Sequence, residues 1–240
     1  MINFFVSFIK ILLYRRSDGG FLLLHGLSDT IKLTFCACMI SSFLGFLLAV
    51  CLYLCKINNK KKIYFIINSF INIILSTPYI ILIILIVDHV TAPYLKWYYG
   101  FKPSLVCLSF ILIFVFARNC AQIFEQMNPE IYQTAYSLGA NNKQFIIYFL
   151  LNETRVFLIL KIVSLFISAI AYSSVLHLLG QAGLSGIILD YGRLNQNINF
   201  NKIGFSRLYF IFVYVIVIFL LVQTVHVIAN FLCKKLDKIK

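Results

Sequence analysis

The sequence predicts an all-α, polytopic membrane protein with about five transmembrane helices. Hydrophobic residues make up 61% of the 240 and charged residues only 12%, whereas a soluble chain carries about 45–50% apolar and about 25% charged residues. Mean hydropathy is +0.92. The few charges fall between long apolar runs rather than along helix faces, so the helices lack the polar outer face that water demands. A water-soluble globular domain is excluded.

A helix needs roughly 20 apolar residues to cross about 30 Å of hydrocarbon. Residues 33–55, 63–87, 162–179 and 208–233 carry no Asp, Glu, Lys or Arg, and 103–124 carries only Arg118, whose long side chain can snorkel to the interface. These runs place one membrane domain over 1–240, with spans at 27–55, 63–87, 103–124, 156–179 and 206–233. Pro78 removes a hydrogen bond inside the second span and predicts a kink there. The opening residues MINFFVSFIKILLY carry Lys10 in the middle and precede Arg15 and Arg16, the reverse of a signal peptide's charge-then-apolar order. Segment 1–20 is expected to lie in the interface, with Phe4, Phe5, Phe8, Ile9 and Leu12 on one side; the alternative is a frayed start to the first span.

Lys plus Arg number 21 against 8 Asp plus Glu, a net charge of +13. In a soluble protein this would suggest nucleic acid; here the basic residues flank the spans and set orientation, so no nucleic-acid partner is expected. Five spans separate the termini. The side bearing the 60–62 lysines and the tail lysines 234, 235, 238 and 240 is the more basic, predicting the N-terminus outside and the C-terminus inside. The seven cysteines have no paired spacing and read as small buried hydrophobes, with no metal site or cofactor implied.

The stretch 128–144 then lies in the cytoplasm. Asn128-Pro129 is a helix start, with a capping side chain followed by Pro at the first helical position. Ile131, Ala135 and Leu138 recur at helical spacing, Gly139 can take the left-handed conformation that ends a helix, and Asn141 with Gln144 has capping-box spacing. Such a pair of short helices either rests on headgroups or docks in a groove of a soluble partner.

Residues 131–140, IYQTAYSLGA, resemble the coupling loop of bacterial ATP-driven (ABC) importer permeases. The resemblance extends to HGLSDT at 25–30, INIILSTPYIIL at 71–82, Ala117-Arg118 through Glu125, IAYSS at 170–174, GQAGLS at 180–185 and DYG at 190–192. These segments are most similar to the methionine-importer permeases. The resemblance implies a type I importer permease in the bacterial inner membrane, with Tyr132, Gln133, Thr134, Ala135, Ser137, Leu138, Gly139 and Ala140 seated against an ATPase subunit. It further implies two such ATPases, an extracytoplasmic binding lipoprotein and a second copy of the chain. A dimer also follows from the span count, since five spans cannot enclose an alternating-access path by themselves. The chain departs from the family at Gln133 and Thr134, which stand where Glu and Ala are usual. Further departures are Asn152 and Val156 in place of prolines, Leu176 and His177 in place of glycines, and Lys161 at an uncharged position.

No phosphate-cradling G-x-x-x-x-G-K-[ST] occurs, and no carboxylate pair is arranged for catalysis. The chain is therefore expected not to be an enzyme and to take its energy from a partner. For the passage, Asn72 and Ser76 in the second span and Ser168, Tyr172 and Ser173 in the fourth are the candidates. The competing reading is helix–helix packing or bonding to their own backbone. His177 is either a passage residue or a neutral imidazole with one internal partner; Asp88 and His89 read as interfacial, and Trp97 with Tyr94, Tyr98 and Tyr99 as an aromatic belt or, alternatively, a contact for an external binding protein. The alternatives to a methionine permease are a permease for polar amino acids, a small channel or secondary transporter, and a diverged inactive homologue.

Overall fold

The computed structural model describes residues 14, 21–181, 183–193 and 207–237. The expected interfacial segment 1–20 lies outside the described residues apart from Tyr14. Helix α1 is Leu22–Ile57 and α2 is Lys61–Ser76; α3, Tyr79–Ile86, runs through a π-helical turn, Val87–Thr91, into α4, Ala92–Leu95. Then come α5, Phe101–Gln126, and α6, Pro129–Ser137. Helix α7, Asn142–Gln144, passes through a π turn, Phe145–Leu150, into α8, Leu151–Ser173. A 3-10 turn at Val175–Leu179, α9 at Leu184–Ile187 with a further π turn, and α10 at Arg207–Asp237 complete the order.

Four helical runs are long and apolar enough to cross a membrane, and α2 with α3–α4 passes the same test only as a pair. That pair is bent by 105°. The continuous run expected over 63–87 is thus broken: Thr77 is extended (ψ 131°) and its N–H closes the last turn on the Ile73 and Ile74 carbonyls, after which Pro78 cannot continue the ladder. The run expected to end at 179 also differs, since α8 stops at Ser173 and 175–179 tightens into the 3-10 turn closed by Gly180 at φ +72°.

Helices α1 and α5 run parallel and form the centre of the bundle. Ala37, Ser41, Gly45 and Ala49, four apart, put the small side of α1 against α5, and all four are buried. A Cβ on Gly45 would stand 2.7 Å from the Ile113 carbonyl and 3.1 Å from the Phe116 Cβ, so the two backbones touch there. Two buried threonine hydroxyls are satisfied along their own backbone: in α1, Thr34 donates to the Thr30 carbonyl at 2.7 Å, and in α8, Thr154 donates to that of Leu150 at 2.7 Å. A second cluster joins the start of α1, α9 and the start of α10 through Leu22, Leu23, Leu184, Ile187, Phe210, Val213 and Tyr214. Thr30 Oγ1 ties these parts, accepting from the Leu184 N–H at 2.9 Å while donating to the Gly26 carbonyl at 2.8 Å.

These contacts sort the molecule by end. Leu22, Phe101, Ser173 and Arg207 share one end; Ile57, Gln126, Asn142 and the close of α10 share the other, which also carries α6. The cysteines only partly follow expectation: Cys38, Cys107, Cys120 and Cys233 are buried, but Cys36 and Cys51 face outward from α1, because a lipid-facing helix side accepts a small apolar side chain as readily as the core does.

Candidate functional site

The α6 region is a short helix held to the bundle by aromatic rings. The Asn128 Oδ1 accepts from the Glu130 N–H at 3.0 Å and starts the helix at Pro129. Gly139, at φ +76°, turns the chain out of it, and Asn141 with Gln144 closes the capping box that starts α7, its N–H donating to Gln144 Oε1 at 2.9 Å. The inner side of α6 carries Ile131, Tyr132 and the fully buried Ala135. Tyr132 meets Phe145 edge-on at 5.3 Å, Phe145 stacks on Tyr53 at 6.4 Å, Tyr53 lies 5.7 Å from Phe124, and Phe124 meets Phe46 at 6.0 Å. A continuous ladder of rings therefore runs from α6 through the α7–α8 turn into α1 and α5. Burial, then the hydrogen bond with Tyr136, pushes the Tyr132 phenol up to about 12, so it remains a neutral donor near pH 7.

The outer side of α6 presents Gln133, Thr134, Tyr136, Ser137, Leu138 and Gly139. Leu138 does not join Ile131 and Ala135 in one stripe: it is 74% exposed. On a continuous helix 131, 135 and 138 share one side, but α6 ends at Ser137 and Leu138 is its C-cap, at the end of the helix where the chain turns away. Thr134 and Ser137 hydroxyls donate to their own helix, to Glu130 and Gln133 carbonyls at 2.8 and 2.9 Å, leaving Gln133 and Leu138 as the distinctive outward groups. Ala140 is half-buried against the core.

A polar latch lies at the same end. Lys56 Nζ is 2.9 Å from Glu125 Oε1, and the Tyr64 hydroxyl donates to that oxygen at 3.2 Å. Arg118, expected to snorkel, donates instead to Asn68 Oδ1 at 2.7 Å, because α2 brings an amide within reach inside the bundle. Helices α1, α2 and α5 are pinned together next to α6. Nothing in the residue spacing pointed to Lys56, Tyr64, Asn68 and Glu125; a carboxylate just inside the end of an apolar run was the available signal.

The passage candidates fall into two groups that the structure does not join by hydrogen bonds among the described residues. Asn72 and Ser76 are exposed on one side of α2. Ser168 and Ser173 donate to their own helix, to the Ser164 carbonyl at 3.0 Å and the Ile170 carbonyl at 2.7 Å. Tyr172 packs on Tyr79 with ring centroids 5.1 Å apart, so the fourth span meets the second beside the break at Pro78. The Tyr79 hydroxyl is buried without a hydrogen-bond partner, a group that the sequence reading passed over because an aromatic after Pro carries no chemical signature. His177 Nε2 lies 3.0 Å from Asp190 Oδ1, so the imidazole has an internal partner.

Comparisons with known proteins agree with this geometry. A family profile described as "Binding-protein-dependent transport system inner membrane component" matches residues 41–238. The chain is 24% identical over 171 residues to the "Probable D-methionine transport system permease protein MetI" of Haemophilus influenzae, covering 70% of this chain and 80% of the relative. It is 28% identical over 174 residues to the protein of the same description from Pasteurella multocida, with the same coverage. Its fold is similar to a chain of the MetNI methionine ABC transporter in an inward-facing conformation, at a TM-score of 0.82 and 20% identity over 92% of this chain and 99% of that one. It is also similar to a chain of an amino acid ABC transporter with histidines, at a TM-score of 0.65 and 19% identity over 89% and 94%.

Proposed function

This chain belongs to the family of inner-membrane components of binding-protein-dependent transport systems, and from that premise we propose that the cargo it passes is methionine or a closely related amino acid. It is the multi-pass permease subunit of an ATP-driven importer and is not itself the catalytic component. The observation that carries the cargo reading is the pair of relatives described as D-methionine permeases, aligned over 70% of the chain. The second reading, a permease for polar amino acids, has the likeness to the histidine-containing structure behind it, at the lower TM-score of 0.65.

The rest of the reading concerns partners and coupling. Two ATPase subunits bind a dimer of this chain from the α6 side, an extracytoplasmic binding protein delivers cargo at the other, and the N-terminus is outside with the C-terminus inside. The exposed lysines at 56 and 60–62 stand on the α6 side and support that orientation. Coupling runs through residues 132–135 and 137–140. Gln133, Thr134, Ser137 and Leu138 meet the ATPase, Ala135 and Tyr132 seat the helix, and Gly139 and Ala140 turn the chain away. A neutral Gln133 makes that contact through shape and amide hydrogen bonds rather than charge. Closure of the ATPase dimer then moves α6, and the ring ladder carries the movement to α1 and α5. The passage is formed by Asn72, Ser76, Ser168, Tyr172 and Ser173 together with the break at Pro78.

Uptake competition in proteoliposomes holding the permease, its ATPase and its binding protein tests the cargo. Unlabelled methionine is expected to block uptake of labelled methionine, and Arg, His and Gln are not; block by the polar amino acids would move the assignment to the second reading.

A further inference from the structure

At the end opposite α6, a cavity of about 540 Å³ opens between α3 with its π turn, the loop before α5 and the 3-10 turn after α8. Its walls are apolar, from Ile80, Ile83, Ile84, Val87 and Leu179, with three polar groups added: the Asp88 carboxylate and the phenols of Tyr98 and Tyr99. That volume falls within the range of roughly 300–1,000 Å³ typical of small-molecule sites. Two of its walls are clasped by the Gly100 N–H donating to the Leu179 carbonyl at 2.7 Å, so the cavity is part of the fold's construction.

The polar groups are unspent. Three described carboxylates belong to this end, and two are held by imidazoles: Asp29 by His25 at 3.0 Å and Asp190 by His177 at 3.0 Å. Among the described residues Asp88 has no ion-pair partner, and neither the Tyr98 nor the Tyr99 hydroxyl has a hydrogen bond. Asp88 also sits in a π turn, a wide turn that recurs at functional sites. A free carboxylate and two free phenols around an aliphatic wall match one chemical class. An amino acid with an uncharged apolar side chain offers an ammonium for the carboxylate, a carboxylate for the phenol donors and a tail for the isoleucines. An acidic side chain would be repelled by Asp88, and a basic one would have to desolvate its charged head against the aliphatic wall.

We propose that this cavity is a loading subsite on the permease itself, where one apolar amino acid is held by its ammonium on Asp88 before it enters the passage. The proposal rests on the cargo reading above and adds a binding step that the permease performs without the binding protein.

The test uses the permease–ATPase complex in nanodiscs without binding protein, and reads equilibrium binding of tritiated methionine. Saturable binding is expected. Asp88→Asn is expected to weaken it at least tenfold, and Ile84→Trp, which fills the cavity from an exposed position, to abolish it. N-acetylmethionine, which lacks the ammonium, is expected to compete at least tenfold less well than methionine on the unaltered complex and equally with it on Asp88→Asn, because the two losses remove one contact. Should Asp88→Asn fail to assemble, Ile84→Trp and the N-acetylmethionine competition decide alone. Absence of saturable binding, unchanged binding in both variants, or equal competition by N-acetylmethionine on the unaltered complex overturns the subsite. ATP-driven uptake by the same preparation with binding protein added separates the two readings. Methionine uptake without subsite binding overturns the subsite only. Uptake confined to polar amino acids overturns the cargo reading and, with it, an apolar subsite.

Discussion

At the residue scale, two glycines show how differently the same substitution acts. Gly45 has helical backbone, but a Cβ there would meet the Ile113 carbonyl at 2.7 Å, so α1 and α5 must part to admit one. Gly45→Val is expected to cost about 1–3 kcal/mol through overpacking, read as a lower melting temperature of the purified permease in detergent. Gly139 stands in open space at φ +76°, and there the penalty is conformational, about 1–2 kcal/mol for an L side chain in the left-handed region. Gly139→Val is expected to lower the melting temperature by only a few degrees and leave the bundle folded, while abolishing cargo-stimulated ATP hydrolysis in the complex; unchanged stimulation would contradict the assignment of the α6 turn. The left-handed turn was legible because glycine after a helical run is a local signal. The packing role of Gly45 was legible only in principle, as the fourth-residue repeat Ala37, Ser41, Gly45, Ala49, since nothing local says which side of an apolar helix meets a neighbour. Leu138 was expected beside Ile131 and Ala135 because the spacing is helical; it is exposed because it caps the end of α6, and spacing does not say where a helix stops.

At the scale of elements, the coupling role proposed for α6 depends on what the helix is seated on. Phe145 is fully buried and carries the contact between Tyr132 and Tyr53. Phe145→Ala is expected to cost about 3–5 kcal/mol, as large-to-small core changes do, and Phe145→Leu less. The Leu variant, which keeps most of the volume and loses the ring contacts, is expected to retain a folded bundle and to lose more of the cargo stimulation of ATP hydrolysis than of the basal rate; equal loss of both would mean that the ring serves folding alone. The polar latch is a second such element. Glu125→Gln removes the charge that Lys56 pairs with while keeping an acceptor for the Tyr64 hydroxyl. Because the pair is about half-exposed, its expected effect on stability is small, at most about 1 kcal/mol, and a larger drop in melting temperature would show that the latch is shielded from water. Neither the ring ladder nor the latch was readable beforehand, although α6 itself was. In a chain that is 16% aromatic, sequence does not say which rings meet. The size of the bend at Pro78 was equally not readable: proline removes a hydrogen bond, but it does not set the 105° that accompanies the packing of Tyr79 on Tyr172.

At the scale of the whole molecule, the apolar runs and the charges between them were sufficient for an all-helical membrane fold, because lipid permits so few alternatives. They were insufficient for the passage, whose candidate residues bond to their own helices, face outward or, for Tyr172, pack on Tyr79 in this single chain. In the proposed dimer the passage lies on the two-fold axis and would be completed by the second copy, so that its lining would be a property of the pair. Cross-linking follows directly: a cysteine at Asn72 in a chain otherwise free of cysteine is expected to link two copies on oxidation, and a strictly monomeric product would contradict the dimer. The central claim is that this permease is driven through α6 by a separate ATPase. Its most direct test is ATP-dependent uptake of labelled methionine into proteoliposomes containing the permease, the ATPase and the binding protein, with Leu138→Asp as the altered permease. Uptake is predicted to require all three proteins and ATP, and to be lost with Leu138→Asp, whose side chain faces away from the bundle, while the permease remains in the membrane. Uptake that proceeds without the ATPase, or at an undiminished rate with Leu138→Asp, would contradict it.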